Sequence, residues 1–267
     1  MKKAIIACEI FYKELTDIIK DKELDLQLLP QGLHNLPQSE KMRKIVQEKI
    51  DFLESQKNYK YLFLGYGNCS GGTQGLKTKN AKLVIPKVHD CIPLLLGNLD
   101  LEENVESRKT YYLSRGWIDC GGDPYKQYMY LINKTNKLEK KFKSYEKKHK
   151  KALITWYNKE KYISQKKYSK ESAKYICGEC IKNYNSVTVI DNNNLDNIHK
   201  NYARNMYNFL NNLMKDQYNK ALDFKEIKGT LNLLENLVNF EALPENKKTK
   251  FVSTPSGESL NLEKHLY

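Results

Sequence analysis

YKYLFLGYGNCSGGTQGLKTKNAKLVIPKVHDCIPLLLG, residues 59–97, is the stretch from which the fold is read. It holds two short apolar runs, Tyr61–Leu64 and Leu83–Ile85, whose β-rich composition and brevity predict buried parallel strands. Reactive side chains follow each run directly: Cys69 after the first, His89, Asp90 and Cys91 after the second. In an open parallel sheet ligands bind beyond the carboxyl ends of the strands, so residues placed there converge. Cys69, His89 and Cys91 are therefore candidates for one site. Glycines crowd around Cys69, and Gly65, Gly67, Gly71 and Gly72 are assigned to close backbone approach toward a bound cofactor.

Toward the N-terminus the same pattern repeats. KAIIAC, residues 3–8, predicts a first strand ending at Cys8, and Phe11, Leu15, Ile18 and Ile19 follow at helical spacing. Leu24–Leu29 predicts a second strand, after which two prolines bound a loop that carries His34. A helix is expected from Gln38 to about Ser55, with Met42, Ile45, Val46, Ile50 and Leu53 on one face. Cys91–Gly97 predicts a short buried helix with proline in its first turn. Four strands separated by helices make a doubly wound lobe, and Cys8, His34, Cys69, His89 and Cys91 all fall on one predicted edge of it.

Toward the C-terminus, acidic residues 99–108 are a surface connection, and TYYLSRGWIDCGG, residues 110–122, is a strand leading to a glycine turn that brings Cys120 toward the same crevice. A Lys-rich helix over about 124–150, strands at Ala152–Tyr157 and Ser186–Ile190, and a helix from Leu195 to about Met214 follow. Ala221–Ile227 and Phe251–Ser253 are the last strands, with Leu231–Phe240 helical between them. The expected fold class is α/β: two Rossmann-like lobes with mostly parallel sheets, residues 1–108 carrying a Cys/His site at the strand ends and residues 109–267 forming the second. Cys177 and Cys180 lie three apart on a helix, where packing is the expected role.

The formal charge of +13 belongs to one segment, since residues 126–170 hold fifteen lysines against three glutamates, a net +12. No nucleic-acid reading motif accompanies these lysines, so a solvated face is expected rather than a nucleic-acid interface. No apolar run is long enough for a membrane span, and the expected location is cytoplasmic. Six cysteines there suit thiols, metal ligands or catalytic groups better than a disulfide framework.

The phrases IACEIFYKEL, LPQGLHNLP, LGYGNCSGG, VIPKVHDCIPLLLG and TYYLSRGW resemble the signature of domain-of-unknown-function family 1638, over residues 3 to about 118. Cys8, His34, Cys69, His89, Asp90 and Cys91 match its motifs. The resemblance implies archaeal or anaerobic bacterial relatives encoded near corrinoid-dependent methyltransferases, hence methyl-transfer or other corrinoid-linked one-carbon metabolism, with a small molecule or a corrinoid protein as partner.

Several chemistries fit the residues. His89 and Cys91, with Cys69 or Cys120, have the donors of a zinc site that keeps an open position. Cys8, Cys69, Cys91 and Cys120 equally suit an iron–sulfur cluster, with His34 and His89 as outer donors or substrate contacts. A tetrapyrrole such as a corrinoid, axially held by His34 or His89, would make the protein a non-catalytic accessory factor. A metal-free enzyme would use Cys69 as nucleophile and His89 as base. Glu9 and Asp90, with Asp119, are the carboxylates placed for proton transfer or for orienting a histidine.

Overall fold

The computed structural model describes residues 2–35, 38–97, 108–132 and 168–266. The chain divides into two compact units, one formed by Met1–Glu102 with Gly229–Tyr267 and the other by Glu103–Lys228.

In the first unit, β1 (Lys2–Cys8), β2 (Asp25–Leu29), β3 (Tyr59–Gly65), β4 (Lys82–Pro86) and β8 (Phe251–Thr254) form one sheet in the order β2-β1-β3-β4-β8. The first four strands run parallel and β8 runs antiparallel to β4. The interior of β1, from Ala4 to Cys8, and the ends of β3 and β4 are continuously buried, as a parallel sheet requires when both its faces are covered. Helix Ser39–Gln56 buries Met42, Val46, Ile50 and Leu53, one stripe at a spacing of three to four residues, and packs against β1. Helix Asn232–Val238 buries Leu233, Leu234, Leu237 and Val238 against β3 and β4. Because β2 and β3 lie on opposite sides of β1, the strand order reverses there, and the carboxyl ends of β1 and β3 flank the switch-point crevice.

The second unit is a parallel sheet of β5 (Thr110–Leu113), β6 (Ser186–Asp191) and β7 (Asp223–Lys228) in that order. Its core joins Leu113, Val187 and Val189 to Cys177 and Ile181 of helix Lys170–Ile181 and to Met206, Leu210 and Met214 of helix Asn197–Tyr218. Cys177 thus serves packing, its thiol donating to the Pro124 carbonyl at 3.1 Å.

One expectation about the division changes. Phe251–Ser253 pairs with β4 instead of extending the second lobe, so the second unit ends at Lys228 and the chain returns to the first. The apolar pattern of a four-residue strand fixes its type and leaves its partner open. The strand expected at 152–157 and most of the Lys-rich segment lie outside the described residues; the helix described there is Pro124–Leu131. No helix among the described residues is long and apolar enough to cross a membrane.

Candidate functional site at the carboxyl edge of the first sheet

Cys8 is the last residue of β1 and is fully buried. Burial pushes its thiol far up, and nearby Cys69 and Glu9 push in the same direction. Glu9 opens a 3-10 turn, 3% exposed, and its Oε1 accepts the Gln31 backbone N–H at 2.8 Å, tying the end of β1 to the turn after β2. Burial raises the Glu9 carboxyl to about 7, against the opposing effect of that hydrogen bond.

The segments leaving β3 and β4 are laced together. Asn68 N–H donates to the Val88 carbonyl at 2.9 Å and Cys69 N–H to the His89 carbonyl at 2.8 Å. Gly67 sits where they cross, and a Cβ there would lie 2.7 Å from both Val88 O and Asp90 N. Cys69, Ser70 and Gly71 follow with φ of 49°, 57° and 81°, three left-handed residues in a row. Non-glycine residues rarely adopt this conformation, and it collects at functional sites. Cys69 is buried, which pushes its thiol up to about 12. Cys91, 4% exposed, stands at the start of helix Ile92–Leu96, its thiol raised first by burial and then by Asp90, Cys8 and Cys69.

Cys8, Cys69 and Cys91 thus all lie at or just beyond the carboxyl ends of strands in the first sheet, each held neutral by burial. Tyr66 joins them, and the sequence reading missed it. It is 1% exposed, with Cys8, Cys69, Glu9 and Cys91 as electrostatic neighbours, and its buried hydroxyl has no hydrogen-bond partner among the described residues. One tyrosine among nineteen carries no signal until the missing partner is seen.

Other expected site residues resolve differently. Asp90 Oδ1 accepts the Ile92 N–H at 2.7 Å, an Asx turn that starts the helix. His89 is half-buried and lends its carbonyl to Cys69. His34 follows β2 in the turn Gln31–Asn35, and its side chain lies outside the described residues. Gly65 and Gly72 meet packing needs, since a Cβ would lie 2.6 Å from Ala7 Cβ and 2.5 Å from Met42 Sδ respectively. A Cβ on Gly71 would make only ordinary contacts, 3.8 Å from Glu263 Oε1 and 3.9 Å from Ser39 Oγ. Cys120 belongs to the second unit, ending helix Arg115–Cys120. There Asp119 does orient a histidine: His199, fully buried, holds Asp119 through Nε2 at 3.1 Å while its Nδ1 accepts the Asp196 N–H. With Arg115 Nε 3.6 Å from Asp119, this pair fastens the helix after β5 to the start of helix Asn197–Tyr218.

All six cysteines are free thiols. Among the described residues no group of three or more His, Cys, Asp or Glu side chains could hold a metal ion as it stands.

Sheet order defines a mixed α/β protein with a mostly parallel five-stranded sheet and a second, parallel three-stranded sheet; in the first, buried Cys8 ends β1 while buried Cys69 and Cys91 follow β3 and β4. The chain belongs to the DUF1638 family, proteins of unknown function, whose family model matches residues 28–238. The match extends well beyond the expected limit near residue 118 and includes His34, Cys69, His89, Asp90 and Cys91, while Cys8 lies before it. Neither the curated proteins nor the solved structures provide a match to the chain.

Proposed function

We propose that the crevice of the first unit holds a soft metal centre, zinc or an iron–sulfur cluster, on Cys8, Cys69 and Cys91. In this proposal the protein has two Rossmann-like lobes and serves methyl-transfer or corrinoid-linked one-carbon metabolism in the cytoplasm; the metabolic assignment rests on the family resemblance. What supports the metal reading is that three buried thiols, Cys8, Cys69 and Cys91, stand at or just after the carboxyl ends of three neighbouring strands, β1, β3 and β4. Burial penalises thiolates, and a bound cation is what offsets that penalty and makes buried cysteines into ligands. The same burial weakens the metal-free alternative. A nucleophilic cysteine needs a lowered pKa and access, whereas burial, assisted by Asp90, raises the Cys69 thiol to about 12.

Metal per chain after anaerobic purification tests the proposal. Cys69→Ala and Cys91→Ala are each expected to lose bound metal while remaining folded, and Cys177→Ala, in the other unit, to keep it. The absorption spectrum separates a colourless zinc protein from a brown cluster protein or a red corrinoid protein. Full occupancy in folded Cys69→Ala and Cys91→Ala would remove both residues from the ligand set and return attention to Cys69 as a nucleophile.

A further inference from the structure

The second unit has a carboxyl edge of its own, independent of the metal site proposed for the first. β5, β6 and β7 run parallel, so Leu113, Asp191 and Lys228 end at the same side of one sheet, where parallel α/β sheets take their ligands. Buried polar atoms without partners collect there. Asp191 Oδ1 at the end of β6, both polar side-chain atoms of Asn192 directly after it, and Trp117 Nε1 on the helix that follows β5 have no hydrogen-bond partner among the described residues. Native interiors leave few such groups, and each calls for an explanation.

The loop that carries them is held in place from several sides. Arg115, 4% exposed, donates from Nη1 to the Asn194 carbonyl and stands 3.4 Å from Asp196 through Nη2, while Asp196 and His199 cap helix Asn197–Tyr218 reciprocally. Lys228 Nζ reaches Asn193 Oδ1 at 2.7 Å and Asp191 Oδ2 at 3.4 Å, so the other oxygen of the Asp191 carboxylate is the buried one. The Asp191 side chain as a whole is 19% exposed, which puts that oxygen near the surface and within reach of a ligand.

We infer that this edge binds a small ligand through a vicinal diol, the diol of a free sugar or of a nucleoside. The warrant is complementarity. A carboxylate oxygen only accepts, a primary amide accepts and donates, and a hydroxyl does both. One hydroxyl that donates to Asp191 Oδ1 and accepts from Asn192 Nδ2, beside a second that donates to Asn192 Oδ1, satisfies all three atoms, and the Trp117 indole N–H adds a donor at the same end. An anion fits worse, because it brings a second negative charge to the carboxylate and offers neither Oδ1 a hydrogen. In nucleotide-binding α/β folds an acidic side chain likewise holds a ribose hydroxyl.

The test is calorimetric titration of the full chain with adenosine and with methyl ribofuranoside, each beside its 2-deoxy counterpart, which lacks the diol. At least one diol probe is expected to bind saturably, and its deoxy counterpart about tenfold more weakly or worse, the loss of one hydrogen bond to a buried group. Tighter binding of adenosine assigns the site to a nucleoside; equal binding of both, or of the glycoside alone, assigns it to a free sugar. Asn192→Leu and Asp191→Asn are each expected to lower affinity for the bound probe about tenfold or more, and Cys69→Ala, in the first unit, to leave it unchanged. Melting confirms that the variants fold, and Asp191→Asn alone carries the comparison if Asn192→Leu does not. Binding of neither diol probe, as when water alone fills the edge, overturns the inference. So do equal affinities for a probe and its deoxy counterpart, wild-type affinity in the folded variants, or loss of binding in Cys69→Ala.

Discussion

A carboxyl group one residue past a strand end, 3% exposed and holding the Gln31 backbone N–H, is less stable ionised than it would be in water. For Glu9 this sets a pH dependence whose sign follows from where the proton is held. The folded chain keeps the proton to about 7 and the unfolded chain to about 4.5, so the folded state binds more protons between those values. Stability is therefore full below the lower value and falls as pH rises through the upper one, by roughly 3 kcal/mol at most. Glu9→Gln keeps an oxygen for the Gln31 N–H and removes the charge, so urea midpoints of metal-free protein are expected to decline less between about pH 5 and about pH 8 than in wild type. Equal slopes would show that Glu9 stays ionised in the fold. Single residues also mark what could be read in advance. Cys8, Cys69 and Cys91 were legible because a cysteine just beyond an apolar run is an uncommon pairing of a reactive group with a predicted sheet edge. The Tyr66 hydroxyl was not, since its significance lies in a missing partner, which only three-dimensional neighbours define. Nor was His199, whose partner Asp119 stands 80 positions away.

Elements were easier to read than their pairings. β1 to β4 were expected in type and order because each is a short apolar run between turn residues, and the stripe on Ser39–Gln56 repeats at helical spacing. The partner of β8 was hidden because strand pairing is settled by packing between distant segments, which local composition does not encode. The loops after β3 and β4 show how elements build the site: two backbone hydrogen bonds hold them in contact, and Gly67 lets them cross. Gly67→Ala sets a methyl group against backbone atoms of Val88 and Asp90, which cannot rotate away as a side-chain tip could. The expected cost is about 1–3 kcal/mol, read as a lower urea midpoint, together with weaker metal binding because Cys69 and Cys91 are displaced relative to each other. A folded Gly67→Ala with wild-type stability would mean that the two loops are free to separate.

At the scale of the whole molecule, the first unit is discontinuous, and its site depends on residues that come last in the chain. Gly75 N–H donates to Leu260 O and Leu260 N–H to Leu76 O, both at 2.8 Å, Gly257 N–H reaches Thr78 O at 2.8 Å, and Leu262 N–H reaches Gln74 Oε1 at 3.1 Å. These bonds hold the segment just after the Cys69 loop, while buried Leu260 and Leu262 anchor the C-terminal stretch that makes them. The family match from 28 to 238 therefore does not coincide with a structural unit, since it omits β1, which lies between β2 and β3, as well as β8. A chain ended after Lys228 retains every proposed ligand and the whole second unit, yet it loses β8, the apolar helix Asn232–Val238 and these four bonds. Each buried leucine removed costs about 2–5 kcal/mol by analogy with Leu→Ala in cores, and Leu233, Leu234, Leu237, Leu260 and Leu262 all go at once, more than a marginally stable domain holds in reserve. Limited proteolysis of the shortened chain should accordingly cut freely within residues 2–97 while the core of residues 170–228 stays protected, and bound metal should be lost. Protection of residues 2–97 equal to that in the full chain would show that the first unit folds without its C-terminal part, contrary to the pairing of β8 with β4.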